Sequence, residues 1–182
     1  KYPFTVSIDK NLKLSFPMGF LNGENIYLQL KEIFNRAENI KNFNDLPIQY
    51  RAITTDLQTG KEVIIRDGDL ALATFKSMAI PSFLEPIEDN GKFYVDGGVV
   101  NNFPIDVALS LGADIIIAVD ISAEASKINE KSNLITILDK LATYNGNRKV
   151  DLHKRLADIL IVPDVKDHDT IDFSNLSALV DE

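Results

Sequence analysis

An apolar strand that runs into an acid and two glycines constrains the fold of this chain more than any other stretch. The segment covers residues 93–104 and has the sequence Phe-Tyr-Val-Asp-Gly-Gly-Val-Val-Asn-Asn-Phe-Pro. Gly97 and Gly98 can take positive φ at little steric cost, so they predict a sharp turn that holds the Asp96 carboxylate at the strand end. Pro104 fits the first turn of a following helix, where a missing N–H costs nothing.

A second apolar strand follows that helix and predicts a parallel sheet. Residues 114–120 are mostly β-branched and do not alternate with polar residues, which is typical of a strand buried on both faces. With a helix predicted from Ile105 to Leu111, the pieces form a βαβ unit whose two strands are parallel in one sheet. Asp96 and Asp120 then lie at the edge of an open α/β sheet where ligands usually bind.

Hydrophobic spacing predicts the remaining elements of an α/β fold. Residues 22–40 have helical spacing, and Asp69 is a suitable N-cap for a second helix over residues 70–79. Residues 49–56 and 62–66 are predicted to form a hairpin. The predicted mixed sheet contains five strands, at about 49–56, 62–66, 92–96, 114–120 and 158–162.

The length and charge of the chain limit its organisation and its partners. It has 182 residues, of which 45% are hydrophobic, so a single domain over residues 1–182 is expected. The net charge is −8 and the lysines and arginines are scattered, which gives a nucleic-acid backbone little to bind. The chain has no cysteine, which excludes disulfides and a cysteine nucleophile and leaves the cellular compartment open.

Apart from the acids, the chain offers few groups for catalysis. Its two histidines, His153 and His168, lie in polar surroundings and are interpreted as solvated surface side chains. The pentapeptide Gly-x-Ser-x-Gly, which places a serine nucleophile on a strand-to-helix turn, does not occur. No glycine-rich run is present that could direct backbone N–H groups at an oxyanion.

The residues alone leave two interpretations of Asp96 open. In the first, Asp-Gly-Gly is only a turn and the carboxylate caps backbone amides. In the second, the carboxylate is a positioned base or a metal ligand. A metal-dependent phosphohydrolase would use Asp96, Asp120 and Asp56 as Mg²⁺ ligands, but such an enzyme would need a second acid where the chain has Tyr94.

Four short motifs, taken together, resemble the patatin-like phospholipases in order and spacing. They are Thr55-Asp56-Leu57-Gln58-Thr59-Gly60, Ser77-Met78-Ala79-Ile80-Pro81, Val95 to Pro104, and Leu111-Gly112-Ala113-Asp114. The resemblance implies a three-layer α/β/α sandwich with a mixed, mostly parallel sheet. It also implies a lipid acyl hydrolase with a Ser-Asp dyad, in which Asp96 is the base and Gly97 and Gly98 complete the motif. No metal or cofactor is required, and the expected partners are a lipid or ester substrate and a membrane surface.

The chain departs from this family in one respect that matters for activity. The family's glycine-rich oxyanion loop and its Gly-x-Ser-x-Gly nucleophile do not occur in it. We therefore expect the C-terminal portion of a patatin-like module, which supplies the aspartate but not the serine and is inactive alone. The missing segment should leave an apolar face through which the chain associates with itself. The alternative is a binding or interaction fragment without catalysis.

Overall fold

The chain divides into two compact units in its computed structural model. The first comprises Lys1–Phe103 and Asn133–Val150, and the second comprises Pro104–Ser132 and Asp151–Glu182. The structure describes residues 7–8, 14–15, 19–121, 144, 146–148 and 150–163. The expectation of a single domain over residues 1–182 stays a prediction.

Strands and helices are both present among the described residues, so the fold is α/β as predicted. The strands are β1 Ser7–Ile8, β2 Leu14–Ser15, β3 Gly19–Leu21, β4 Ala52–Asp56, β5 Lys61–Ile65, β6 Ser82–Leu84, β7 Ile87–Asp89, β8 Lys92–Asp96, β9 Ile117–Val119 and β10 Ile159–Ile161. The α-helices are α1 Glu24–Ile33, α2 Leu70–Ser77, α3 Ile105–Ser110 and α4 Val150–Lys154. In the described part of the chain, no helix is both long enough and apolar enough to cross a membrane.

A four-stranded antiparallel sheet forms the centre of the first unit. Its strand order is β5-β4-β8-β7, and every neighbouring pair is antiparallel. The register places Thr54 of β4 opposite Asp96 at the end of β8. Strands β3 and β6 pair in parallel in a separate two-stranded ladder. The predicted strands at 49–56, 62–66 and 92–96 are therefore confirmed, whereas the sheet that contains them is antiparallel.

Two tight turns fix the register of this sheet. The Asp56 carboxylate accepts hydrogen bonds from the N–H groups of Gln58 and Thr59, at 2.9 and 3.1 Å, and so closes the loop between β4 and β5. Asn90 and Gly91 connect β7 to β8, both with positive φ of 53° and 74°. An Asn-Gly pair with this geometry is the favoured two-residue hairpin turn, because its twist matches that of the strands. Strand β7 is not among the five strands that the sequence predicts.

Helix α2 packs between the sheet and the preceding helical segment, and its apolar side chains contribute to two buried clusters. One buried cluster combines Phe43 and Ala52 with Leu70 and Ala73 of α2. A second cluster combines Phe75, Ala79, Leu84 and Ile87, with Ile26, Tyr27 and Leu30 of α1 packed against it. Burying this many apolar side chains is the main stabilising contribution to the unit.

Asp69 begins α2, as the sequence predicted. Its carboxylate accepts a hydrogen bond from the N–H of Leu72 at 3.0 Å and lies 3.3 Å from the ammonium of Lys31. Burial alone would raise the pKa of the Asp69 carboxyl, but the Leu72 N–H and the Lys31 charge outweigh burial and lower the pKa below its ordinary value. The cap therefore carries a negative charge at the positive end of the helix dipole.

The second unit contains α3, which starts immediately after Pro104 and ends before Gly112. Gly112 has a φ of 81°, the left-handed conformation that commonly ends a helix. Beyond it, β9 pairs in parallel with β10, with Ile117 opposite Ile159 and Val119 opposite Ile161. The predicted helix and the two predicted strands are thus present.

The prediction that strands 92–96, 114–120 and 158–162 share one sheet is wrong. Strand β8 has β4 on one edge and β7 on the other, so no edge remains at Tyr94 for a third partner. Burial along the second strand also alternates, because Ile116 and Ala118 are buried whereas Ile117 is 62% exposed. The expectation of a strand buried on both faces is therefore wrong as well.

Candidate functional site

Asp96 lies at the last position of β8, where its backbone is held by two other elements. Its N–H donates to the carbonyl of Ala79 at 2.9 Å, and its carbonyl accepts from the hydroxyl of Thr55 at 2.9 Å. Beside it, the buried hydroxyl of Thr54 donates to the carbonyl of Val95 at 2.6 Å. These contacts fix the point at which the side chain of Asp96 leaves the sheet.

The Asp96 carboxylate caps the turn that follows it. Its Oδ1 accepts a hydrogen bond from the N–H of Gly98 at 2.6 Å, and residues Gly97–Val99 form a single 3₁₀ turn. A backbone N–H that donates to a carboxylate oxygen favours the ionised form of that group. The carboxylate is half-buried at the end of the strand. The arrangement can hold an anionic base in a defined orientation.

Close packing and not positive φ explains the two glycines, most strictly at position 97, so the predicted reason for them is wrong. Neither Gly97 nor Gly98 is among the glycines with positive φ. A Cβ on Gly97 would overlap the carbonyl oxygen of Ile53 and lie 2.9 Å from the Ile53 Cβ. A Cβ on Gly98 would lie 2.7 Å from Oδ1 of Asn102 and 3.1 Å from Oδ1 of Asp96. Glycine is therefore required at position 97, where the overlap is with backbone atoms of β4, whereas at position 98 the neighbours are the ends of two side chains.

Two asparagines after the glycines complete the turn, and sequence reasoning assigned them no role. The buried Asn101 donates its N–H to the Gly97 carbonyl at 2.9 Å and its Nδ2 to Glu62 Oε1 at 3.2 Å. Asn102 donates its Nδ2 to Oδ1 of Asn147 at 2.9 Å. The only indication in the sequence was the adjacency of both residues to the Asp-Gly-Gly motif.

A buried lysine supports β8 and was also missed. The Lys76 side chain is 8% exposed, and its Nζ lies 2.6 Å from Oδ2 of Asp89 and 4.4 Å from the centroid of the Tyr94 ring. Both partners belong to the β7–β8 hairpin that carries Asp96. A charged residue inside the apolar run 70–79 was the signal that could have indicated it.

The other candidate ligands of the sequence each have a local partner. Asp56 closes the β4–β5 turn, and the buried Asp120 forms an ion pair with Lys154. Within the described residues, no group of three or more histidine, cysteine, aspartate or glutamate side chains could hold a metal ion. His153 is 6% exposed, so its interpretation as a solvated side chain is wrong, and His168 lies outside the described residues.

Two features define the class of this protein. The fold is α/β, and an aspartate is fixed at the end of a strand by the Asp-Gly-Gly sequence. The family model described as "Patatin-like phospholipase" matches residues 4–109, which is more than half of the chain. The chain therefore belongs to the patatin-like phospholipase family.

Several curated relatives have the same family name. Patatin-like phospholipase domain-containing protein 7 of Mus musculus is 32% identical over 115 residues, which cover 62% of this chain and 8% of the relative. Patatin-like phospholipase domain-containing protein 6 of Homo sapiens is 31% identical over 112 residues, 60% of this chain and 8% of the relative. An NTE family protein of Mycobacterium tuberculosis is 34% identical over 104 residues, 57% of this chain and 28% of the relative. The chain thus spans less than a third of the length of these relatives.

Proposed function

We propose that this chain supplies the base of a lipid acyl hydrolase with a Ser-Asp dyad, and that Asp96 is that base. The observation that carries the proposal is the place of Asp96, at the end of β8 within the matched residues, with one carboxylate oxygen held by the Gly98 N–H at 2.6 Å. The Asp96 carboxylate is the group assigned to the serine proton. Gly97 and Gly98 serve the site by letting the backbone turn beside the carboxylate.

The proposed reaction transfers an acyl group from a lipid ester to water in two steps. Asp96 takes the proton of a serine hydroxyl while the serine oxygen attacks the ester carbonyl, and the leaving alcohol then receives that proton. Water attacks the acyl-serine in the second step, again losing a proton to Asp96, and the serine leaves with the proton as the fatty acid is released. Each cycle returns Asp96 to its ionised form, and the atoms and charges of the two steps balance without a cofactor.

The nucleophile in this scheme is not part of the 182 residues. The chain contains no Gly-x-Ser-x-Gly pentapeptide, and we propose that it hydrolyses no ester by itself. We further propose that the complete module is a three-layer α/β/α sandwich with a mostly parallel sheet. The parallel pairs β3–β6 and β9–β10 support that arrangement. Its substrate is a lipid or ester, presented at a membrane surface.

A non-catalytic interaction fragment is the second candidate, and exposed apolar side chains favour it. Ile117 and Ile161, in neighbouring strands, are 62% and 47% exposed. Apolar patches of this kind are typical of interaction sites, including self-association. Sedimentation velocity of the chain at several concentrations tests self-association, and a monomer at all concentrations would contradict it.

The experiment that tests the catalytic proposal uses a chimera. A family member whose sequence contains both a glycine-rich loop and Gly-x-Ser-x-Gly is chosen, and the segment with these motifs is joined to the N-terminus of this chain. The value of kcat/KM is then measured on a short-chain p-nitrophenyl ester. Asp96→Asn keeps the hydrogen-bond acceptor for Gly98 but removes the basicity, so we expect a loss of about 10²–10⁴-fold, the typical contribution of a general base.

Asp56→Asn is the matched control for this measurement. Asp56 also closes a turn with its carboxylate, and asparagine can hold the same turn, so this variant should keep its activity. Thermal melting confirms that both variants are folded. A folded Asp96→Asn variant that loses less than about tenfold, small beside the usual effect of a general base, would show that the serine proton goes elsewhere.

A further inference from the structure

Gly98, the donor to the Asp96 carboxylate, packs closely against two residues. The first is Asn102, whose Oδ1 would be 2.7 Å from a Cβ on Gly98. The second is Gly146, which is buried. A Cβ on Gly146 would overlap the carbonyl oxygen of Gly98 and lie 2.9 Å from the Gly98 carbonyl carbon. The two glycine backbones are therefore in direct contact, and only glycine fits at position 146.

The residue after Gly146 reaches the same turn from a second direction. Asn147 accepts a hydrogen bond through Oδ1 from Nδ2 of Asn102, at 2.9 Å. Residues 144, 146 and 147 are helical, and they belong to the same compact unit as Asp96. Both neighbours of Gly98 are thus connected to one short stretch of chain. This stretch lies outside residues 4–109, which the family model matches.

We propose that Gly146 and Asn147 are positioning residues for Asp96, because they hold Gly98 where its N–H donates to the carboxylate. Gly146 restrains the position of the Gly98 backbone by direct contact, and Asn147 holds Asn102, whose Oδ1 lies beside Gly98. The inference rests on the proposed function only in assigning Asp96 as the base, since the packing around Gly98 does not depend on that role.

The hydrogen bond from Gly98 provides a direct readout of this arrangement. A hydrogen bond to the ionised carboxylate favours that form. If a larger residue at position 146 pushes Gly98 away, the ionised form loses a donor and the carboxylate takes up a proton at higher pH. The amide proton of Gly98 reports both changes, because its chemical shift depends on the length of the hydrogen bond and on the charge of the acceptor.

The experiment follows the Gly98 amide by NMR over a pH titration of the ¹⁵N-labelled chain. In Gly146→Ala we expect the Gly98 amide proton to move upfield, and the midpoint of its titration to rise by about one pH unit, which corresponds to weakening one charged hydrogen bond. Arg148→Ala is the matched control, because Arg148 is an exposed side chain in the same segment. This control should leave both the shift and the midpoint unchanged.

A second pair of variants is informative even if Gly146→Ala fails to fold. Asn147→Asp keeps an acceptor for Asn102 and should leave the Gly98 amide shift close to that of the wild type, while its added negative charge raises the midpoint. Asn147→Ala removes the acceptor without adding a charge and should shift the Gly98 amide in the same direction as Gly146→Ala, by less. A wild-type Gly98 amide and midpoint in a folded Gly146→Ala variant would overturn the proposal. If that variant is unfolded, a wild-type amide in both Asn147 variants would do so.

The two proposals fail in different ways. Full activity of the Asp96→Asn chimera would refute the assignment of the base and leave the NMR result standing. In an active chimera, Gly146→Ala should move the acidic limb of the kcat/KM profile to higher pH and lower the maximum by up to about 10²-fold, the effect of a misplaced catalytic group. A purely structural role for Gly146 would lower the yield or the melting temperature and leave the limb in place.

Discussion

Replacing Lys76 by methionine removes a buried charge and keeps the length of the side chain. In the wild type, the Lys76 Nζ lies 2.6 Å from Oδ2 of Asp89 and 4.4 Å from the centre of the Tyr94 ring. Methionine fills the same space with a flexible thioether, so the variant loses the ion pair and the cation–π contact without creating a cavity. Asp89 is left without its cation.

The exposure of the two partners sets the size of the expected effect. Breaking a fully buried ion pair costs about 3–5 kcal/mol, because one charge stays buried and uncompensated. The Asp89 side chain is 32% exposed and can be rehydrated, so the cost should be lower. A hydrogen bond to a charged group contributes about 1.5–3 kcal/mol, and we expect Lys76→Met to lower the free energy of unfolding by about 2 kcal/mol. For a chain of this length, that corresponds to a fall in Tm of about 4–8 °C.

Urea unfolding of the wild type, Lys76→Met, Asp89→Asn and the double variant measures both the cost and the coupling between the two residues. The double variant should lose less than the sum of the single variants, because it leaves no unpaired charge. A loss below about 0.5 kcal/mol in Lys76→Met, the range of ordinary surface substitutions, would refute the reasoning. Additive losses would show that the two groups do not interact.

Two further predictions concern the cap of α2 and the turn beside Asp96. The lowered pKa of Asp69 means that its charge stabilises the fold above the ordinary carboxyl pKa and that this contribution is lost as pH falls through the folded value. Asp69→Asn should therefore be less stable than the wild type by up to about 1 kcal/mol near pH 7. In denaturant titrations, this difference in the free energy of unfolding should shrink below about pH 4. A difference of the same size at pH 3 would contradict this. Gly97→Ala should lower the free energy of unfolding by about 1–3 kcal/mol, because its Cβ meets the backbone of Ile53. Gly91→Asn, at an open left-handed position, should be close to neutral by thermal melting. Equal stabilities of these two variants would contradict the packing argument.

Local features of the fold could be predicted because their physical cause is local. The N-cap at Asp69, the hairpin of β4 and β5, the helix after Pro104 and the end of β8 at Asp96 each depend on a few neighbouring residues. Capping, turn chemistry and hydrophobic spacing act over one or two turns of chain, so they are visible in the sequence. The candidate base was located in this way.

Strand pairing could not be predicted, because it depends on which edges are free. The Asn90-Gly91 pair makes β7 the neighbour of β8, and this excludes β9 from that edge. A helix between β8 and a later strand favours parallel pairing of the two strands, but the sequence does not show that β8 already has a neighbour on each side. The buried Lys76 and His153 were missed for a related reason, since the burial of a charged side chain is decided by residues far away in the chain.

The two interpretations of Asp96 that the sequence left open are compatible with each other. A carboxylate has two oxygens, and the hydrogen bond that caps the turn uses Oδ1. That bond limits the rotation of the side chain, so the carboxylate can be presented to a serine hydroxyl with little further loss of entropy. It also favours the ionised form, which is the form a base needs at neutral pH, although each added donor makes the carboxylate a weaker base. Capping therefore orients Asp96 for proton transfer. The number of hydrogen-bond donors that Gly98 and its neighbours direct at the carboxylate sets how readily the carboxylate accepts a proton.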